Sequence, residues 1–178
     1  MITTDDAEFY RKACFLRDQA MSKEKRYWHD VIGFNYRMTN LQAALGVAQM
    51  ESIEEMLTRR ADILAHYRRV IETSDTVRLN FTANWAKSAY WMICLEADRF
   101  DDDSRGRFMQ RLKDRGIDSR PYFYPMSAMP MYRQKTPSVA GAKSAIGLNL
   151  PTYHDLSAAD IERVGAAVNQ ELRAMSLR

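Results

Sequence analysis

The segment GFNYRMTNLQAALG, residues 33–46, places Asn35, Tyr36 and Arg37 directly before a run with the spacing of an amphipathic helix. Packing a helix entry does not call for three side chains so rich in hydrogen-bonding groups. Asn40 can cap the helix that follows, because its side-chain oxygen accepts from the free N–H groups of the first turn. From there Leu41, Leu45, Ala48, Ile53, Leu57, Leu64, Tyr67 and Ile71 recur at mostly three- and four-residue spacings, which predicts one helix over residues 41–72. Such a helix is roughly 45 to 50 Å long. That exceeds the width of a small domain, so the helix is expected to cross an interface or link two domains. Spacing alone leaves two roles open for the polar residues in front of it. Either Asn35 makes a turn and Arg37 pairs with a surface acid, or both serve an anionic ligand, an amide donor suiting a phosphate oxygen and a planar guanidinium suiting a phosphate or carboxylate.

Toward the N-terminus, Asp5 with Glu8 reads as a helix start, followed by Phe9, Ala13 and Leu16 on one face. MITT before it is then expected to be the end of a strand. Beyond the long helix the pattern becomes that of a small α/β unit. AYWMICLEA, residues 89–97, is a compact apolar run suited to a buried strand, and a helix is predicted over residues 104–115 with Phe108 and Leu112 inward and Gly116 as its stop. IDSRPYFYP is a second candidate strand, and SAIGLNLPTY gives a helix end, a glycine and a short extended piece. Ser157 and Asp160 then start a last helix carrying Ile161, Val164, Val168 and Leu172. Strand, helix, strand, helix argues for a two-layer sandwich. The expected division is therefore 1–40, 41–72 and 73–178, the first part reading as the tail of a larger domain.

Composition narrows the class. The chain has 178 residues, 46% of them hydrophobic, enough for a real core. Its charge of +3 is the difference of 26 basic and 23 acidic residues spread along the sequence, which does not mark a nucleic-acid binder. Cys14 and Cys94 stand alone, without zinc-site spacing or disulfide density, so no metal site is expected and a reducing cytoplasm fits. No apolar run approaches the roughly 20 residues of a membrane span, and MITTDDAEFYRK lacks a signal peptide's apolar core.

GFNYRMTNLQAALG resembles the Gly-x-Asn-x-Arg-Met-x-x-x-Gln-Ala-Ala segment of the DegT/StrS family of sugar aminotransferases, fold type I enzymes that use pyridoxal phosphate. The match runs over essentially the whole chain. MITTDD is similar to the strand after that family's Gly-Glu-Gly-Gly turn, and GIDSRPYFYPMSAMPMY and LNLPTYHDLSAADIERV resemble its two C-terminal landmarks. MSKEKRYWHDVIGFNYRMTN resembles the perosamine synthase branch in particular. The resemblance implies an α/β fold: the C-terminal portion of a fold type I transferase, with a linking helix and a small two-layer sandwich.

It also implies roles. Asn35 corresponds to an asparagine that reaches the cofactor phosphate of the other subunit, so a homodimer is implied, each site completed by its partner. Arg37, His29, Arg120 and Ser127 fall where the sugar nucleotide is bound. Ser127 stands where many relatives carry a histidine, and Gln19 and Ala20 where many carry His-Gly. The lysine that holds the cofactor lies upstream of the Gly-Glu-Gly-Gly turn in the family, and no lysine here matches its motif; no catalytic residue is therefore assigned to this chain, which is expected to be incomplete alone. The implied reaction moves an amino group from glutamate to a nucleotide-linked keto sugar, GDP-4-keto-6-deoxymannose for the perosamine branch. A second reading makes the chain a truncated, non-catalytic paralogue that serves as a dimerisation or sugar-nucleotide-binding module.

Overall fold

The structure, a computed structural model, describes residues 2–132 and 138–175. The chain divides into two compact units, Met1–Ser52 and Ile53–Arg178.

In the first unit, helix α1 spans Ala7–Arg17 and its cap is Asp6, not Asp5: the Asp6 carboxylate accepts from the backbone N–H groups of Glu8 and Phe9 at 2.8 and 3.0 Å. Residues 2–4 form no strand, so the expected strand end before α1 is absent there. Helix α2 spans Asn40–Glu51, and its cap is instead one residue earlier than expected. Thr39 accepts from Gln42 N–H while the Gln42 side chain accepts from Thr39 N–H, a reciprocal box that satisfies two orphan donors. Asn40 is thereby the first helical residue.

The single helix expected over residues 41–72 is two. α2 stops at Ser52, where φ is −104° and ψ 3°, and α3 starts anew as Ile53–Val70. Ser52 is the C-cap of α2, its N–H turned to Met50 O, and Glu54 and Glu55 in the first turn of α3 suit the positive end of a new helix dipole.

The second unit is built on a four-stranded antiparallel sheet. Its strands are β1 (Val77–Leu79), β2 (Ile93–Ala97), β3 (Arg120–Pro121) and β4 (Gly147–Leu150), in spatial order β1-β2-β4-β3. Helices α4 (Asp102–Asp114), α5 (Val139–Ile146) and α6 (Ala158–Ala174) complete it. Along β2 the alternation is complete: Ile93, Leu95 and Ala97 are buried, Cys94 and Glu96 half-buried. The buried set joins Ile63, Leu64 and Tyr67 of α3, Phe108 and Leu112 of α4, and Ile161, Val164, Val168 and Leu172 of α6 in one core. That is the two-layer sandwich the pattern argues for.

Departures at the ends have local causes. AYWMICLEA pairs only from Ile93, because Tyr90 takes a left-handed φ of 46° that no ladder continues through. IDSRPYFYP contributes only the two residues of β3. Pro121 has no N–H to give, which suits the sheet edge it occupies. α4 begins two residues before Ser104 because Asp101 is the cap and Ser104 its box partner, and Gly116, at φ 72°, closes the helix as expected.

A long-range bond ties the core to the loop after β4. The Tyr67 hydroxyl donates to the Pro151 carbonyl at 3.0 Å, and burial pushes its pKa up, so it stays a neutral donor. Tyr67→Phe is expected to cost about 1 kcal/mol, the net worth of one such bond, read as a lowered urea midpoint at unchanged slope. An unchanged midpoint would mean the loop is held without it.

Candidate active-site loop

After α1 the chain reverses through Gln19 and Ala20, both in the left-handed region at φ 62° and 50°. The reversal lets the segment before α2 run back along the end of α1. Phe34 N–H donates to Leu16 O at 2.7 Å, Gln19 N–H to Phe34 O at 2.9 Å and Tyr36 N–H to Arg17 O at 3.0 Å, and Asp18 and Asn35 form an antiparallel bridge. A second bridge joins Met21 and His29. Gly33 sits at the crossing: a Cβ there would lie 2.3 Å from the Gln19 carbonyl carbon and 2.4 Å from the Ala20 nitrogen.

This crossing decides how the side chains are presented. Phe34 and Tyr36 stack with centroids 5.4 Å apart and planes 9° apart. Alternate residues of an extended segment share a face, so Asn35 and Arg37 fall on the other side. Among the described residues the exposed Asn35 carboxamide has no hydrogen-bond partner, whereas Arg37 Nη1 lies 3.1 Å from Asp18 Oδ2. Both members of that pair are largely exposed, 68% and 45%, and an ion pair so placed contributes little to stability. The pairing with a surface acid that spacing left open for Arg37 is thus present. It uses one guanidinium nitrogen and leaves the other two for a ligand.

His29 is fixed by the same crossing. Its Nδ1 lies 2.8 Å from the Gln19 carbonyl. A carbonyl only accepts, so Nδ1 carries the proton and a neutral ring keeps Nε2 as an acceptor. With Gln19, Asp30, Val31, Ile32 and Gly33 it lines an open depression of about 490 Å3. Trp28 beside it donates from Nε1 to Asp30 Oδ1 at 2.8 Å, and Lys25 Nζ sits 3.9 Å from the Trp28 ring centroid.

The loop therefore brings together Asn35, Arg37 and His29. Arg120 and Ser127 belong to the second unit. Arg120 opens β3 with an exposed guanidinium 3.7 Å from the equally exposed Asp118, and Ser127 is half-buried in the short helical turn Met126–Ala128. Sequence reasoning missed Gln19 as the holder of His29 and Gly33 as the crossing point. The glycine in the motif was the available signal.

The residues present fit one part of a phosphate-bearing cofactor such as pyridoxal phosphate: the carboxamide of Asn35, unpartnered among the described residues, has the N–H donors that a phosphate oxygen accepts. Among the described residues Lys12, Lys23, Lys25, Lys87 and Lys113 are exposed and Lys143 is paired with Glu96, and Lys135 lies outside them. Among the described residues there is no cluster of metal-ligating side chains and no helix long and apolar enough to cross a membrane.

Comparison with known proteins gives the same direction throughout. The chain is 38% identical over 176 residues to GDP-perosamine synthase of Caulobacter vibrioides, covering 97% of this chain and 47% of that protein. It is 31% identical over 172 residues to GDP-perosamine synthase of Escherichia coli O157:H7, covering 96% of this chain and 46% of the relative. The chain thus spans about half the length of the curated relatives it matches. Among solved structures, the aminotransferase TlmJ from Streptoalloteichus hindustanus superposes with a TM-score of 0.81 at 22% identity, over 97% of this chain and 47% of that one. PseC of Helicobacter pylori, an aminotransferase involved in the biosynthesis of pseudoaminic acid, gives 0.80 at 19% identity, over 96% and 48%. These similarities show the fold, that of part of a fold type I aminotransferase. The DegT/DnrJ/EryC1/StrS aminotransferase family profile matches residues 1–169, and the chain belongs to that family.

Proposed function

We propose that the chain is the C-terminal portion of a pyridoxal-phosphate-dependent sugar aminotransferase that moves an amino group from glutamate to a nucleotide-linked keto sugar, GDP-4-keto-6-deoxymannose, in the cytoplasm. The observation that carries this reading is the Asp18–Asn35 crossing, which presents a free carboxamide and a weakly held guanidinium on one face. Support comes from the two GDP-perosamine synthases at 38% and 31% identity. The division 1–40, 41–72 and 73–178 belongs to this reading: end of the large domain with its active-site loop, linker, and small domain.

When bound, pyridoxal phosphate supplies the electron sink for the amino-group exchange. This chain's residues would position and exclude. Asn35 donates from Nδ2 to a phosphate oxygen of the cofactor held by a partner subunit in a homodimer. Arg37 offers its remaining guanidinium nitrogens to a phosphate of the sugar nucleotide or to the donor carboxylate. His29, with its proton fixed on Nδ1, accepts a sugar hydroxyl at Nε2. Arg120 contacts a nucleotide phosphate and Ser127 a sugar hydroxyl, a smaller and neutral group than the histidine many relatives carry.

A hybrid tests the reading. The chain replaces the matching portion of the Caulobacter vibrioides enzyme, and GDP-perosamine formed from glutamate and the keto sugar is followed by mass spectrometry. Product is expected, and less of it from Asn35→Ala. The chain alone is expected to hold pyridoxal phosphate weakly, added cofactor keeping the absorbance of the free aldehyde. A folded hybrid that binds cofactor and transfers nothing would remove the substrate assignment.

A further inference from the structure

Glu96 has no role in the site described so far, yet the end of β3 is fastened to it. In the ladder between β2 and β4, Gly147 stands directly opposite Glu96, so both belong to the same face of the sheet. Gly147 has no side chain to fill that place. The ring of Tyr122, the first residue past β3, fills it instead: a Cβ on Gly147 would lie 2.3 Å from ring atoms Cδ2 and Cε2 and 2.6 Å from Cγ. The backbone is tied at the same point, Tyr122 N–H donating to Gly147 O at 3.1 Å.

The far end of the ring is held as well. The Tyr122 hydroxyl is hydrogen-bonded to Glu96 and Cys94, and since a carboxylate only accepts, the hydroxyl donates to Glu96. Burial, above all, pushes the tyrosine pKa up, which keeps it a neutral donor. Glu96 in turn is fixed from two sides: Lys143 of α5 pairs with its Oε2, and Arg78 Nη2 of β1 lies 3.8 Å from the same oxygen. Elements β1, β2, β4 and α5 thus converge on one ring. Stability alone gives little reason for such a cluster, because well-packed apolar residues in place of a buried ion pair are often as stable or more so. What it does provide is a single fixed position for Tyr122.

The chain beyond that ring has no comparable hold. Among the described residues, the backbone hydrogen bonds of residues 123–132 run within the segment itself: Ala128 N–H to Pro125 O at 2.9 Å, and Met129 N–H to Met126 O and Tyr132 N–H to Met129 O at 3.0 Å. Phe123 adds one ring stack, on Trp91. Bonds of this kind shape the loop without fixing where it stands against the sheet. Serine reaches a ligand through a single rotatable bond, so a displaced loop cannot be made good by the Ser127 side chain.

We propose that Glu96 and Tyr122 are positioning residues for the acceptor step: Glu96 holds the Tyr122 ring down on Gly147 and so sets where the loop after β3 places Ser127. This rests on the nucleotide-sugar reading above, and neither side chain touches the ligand in it.

The test uses the hybrid enzyme described above and this chain side by side. Glutamate and the keto sugar react in turn, so kcat/KM for each reports its own step. Tyr122→Phe leaves the ring in place and removes the hydroxyl; kcat/KM for the keto sugar is expected to fall about tenfold, with kcat/KM for glutamate unchanged. Glu96→Ala is expected to do the same, the double variant to be no worse than either alone, and Glu96→Gln, which keeps an acceptor oxygen, to recover most of the loss. Gly147→Ala displaces the ring with its hydroxyl intact and is expected to give the same selective loss. In this chain, chymotrypsin is expected to cut after Phe123 and Tyr124 about tenfold faster in Tyr122→Phe, with cleavage after Tyr27 of the first unit unchanged. Equal losses for both substrates, or Glu96→Gln as poor as Glu96→Ala, mark a purely structural ion pair and overturn the proposal. Unchanged keto-sugar kinetics in Tyr122→Phe overturn it and leave the nucleotide-sugar reading intact. A hybrid that converts no keto sugar, although Tyr122→Phe opens the loop to chymotrypsin, overturns the reading and keeps the loop-setting role; unchanged cleavage overturns that role.

Discussion

Gly33→Ala is expected to open the Asp18–Asn35 crossing and destabilise the first unit by about 3 kcal/mol. The cost is steric and has no easy escape. The added carbon would meet Gln19 C at 2.3 Å, Ala20 N at 2.4 Å and Gln19 O at 2.6 Å, all backbone atoms of a segment already in the left-handed region. Relief requires the two strands of the crossing to separate, which breaks the bonds from Gln19 to Phe34, Phe34 to Leu16 and Tyr36 to Arg17. Hydrogen exchange reads this directly: the amides of Gln19, Phe34 and Tyr36 are expected to exchange on the order of 100-fold faster, at about 1.4 kcal/mol per factor of ten, with the amides of α6 unchanged. Gly46→Ala is the contrast. Nothing lies within 4 Å of its added carbon, and in α2 alanine is the better helix former by about 0.5 to 1 kcal/mol. Unaltered exchange in Gly33→Ala would show that the crossing is loose and that Asn35 is not held by it.

What the sequence made legible follows from the range of the interactions involved. Gly116 and the Ser157–Asp160 pair were readable because a helix stop and a side-chain cap are settled within four residues. The same local chemistry also produced near misses. Asp5 and Asp6, or Thr39 and Asn40, are equally able to cap, and only the backbone geometry chooses Asp6 and Thr39. Ser52 was hidden because the apolar spacing runs through it while Glu54 and Glu55 suit a new first turn; periodicity and punctuation pointed to different answers, and punctuation prevailed. β1 is three residues, Val77–Leu79, too short to show alternation, and exists because β2 pairs with it.

The candidate site divides the same way. Asn35 and Arg37 were conspicuous as polar residues where packing wants none. The partner of Arg37, Asp18, and the hold of Gln19 on His29 arise from a chain reversal with φ above zero at two non-glycine residues, a conformation that composition does not announce. Trp91 was read as part of a buried strand because AYWMICLEA is apolar throughout. The left-handed Tyr90 turns it out, and no pattern of side chains encodes that turn.

The second large effect is expected in the proposed homodimeric enzyme. If Asn35 serves the partner's cofactor, each site draws its cofactor-holding lysine from one subunit and its carboxamide from the other. The Asn35 carboxamide is unpartnered and its backbone is pinned by the bridge to Asp18, so Asn35→Ala removes one donor without disturbing the loop. A hydrogen bond to a charged phosphate contributes about 1.5 to 3 kcal/mol, so cofactor affinity is expected to fall roughly 10- to 150-fold. A variant lacking the lysine is expected to be inactive. Mixing the two populations then separates the roles. In a mixed dimer one site carries both defects, while the other combines an intact lysine from one chain with an intact Asn35 from its neighbour. Turnover per mixed dimer is expected to approach half that of wild type, above the average of the two parent homodimers, with wild-type cofactor affinity at the restored site. Subunit exchange is verified by native mass spectrometry of differently tagged chains. If exchange is complete and turnover stays at the parental average, Asn35 acts within its own subunit or only shapes the chain before α2, and the cross-subunit role of the segment FNYR is lost.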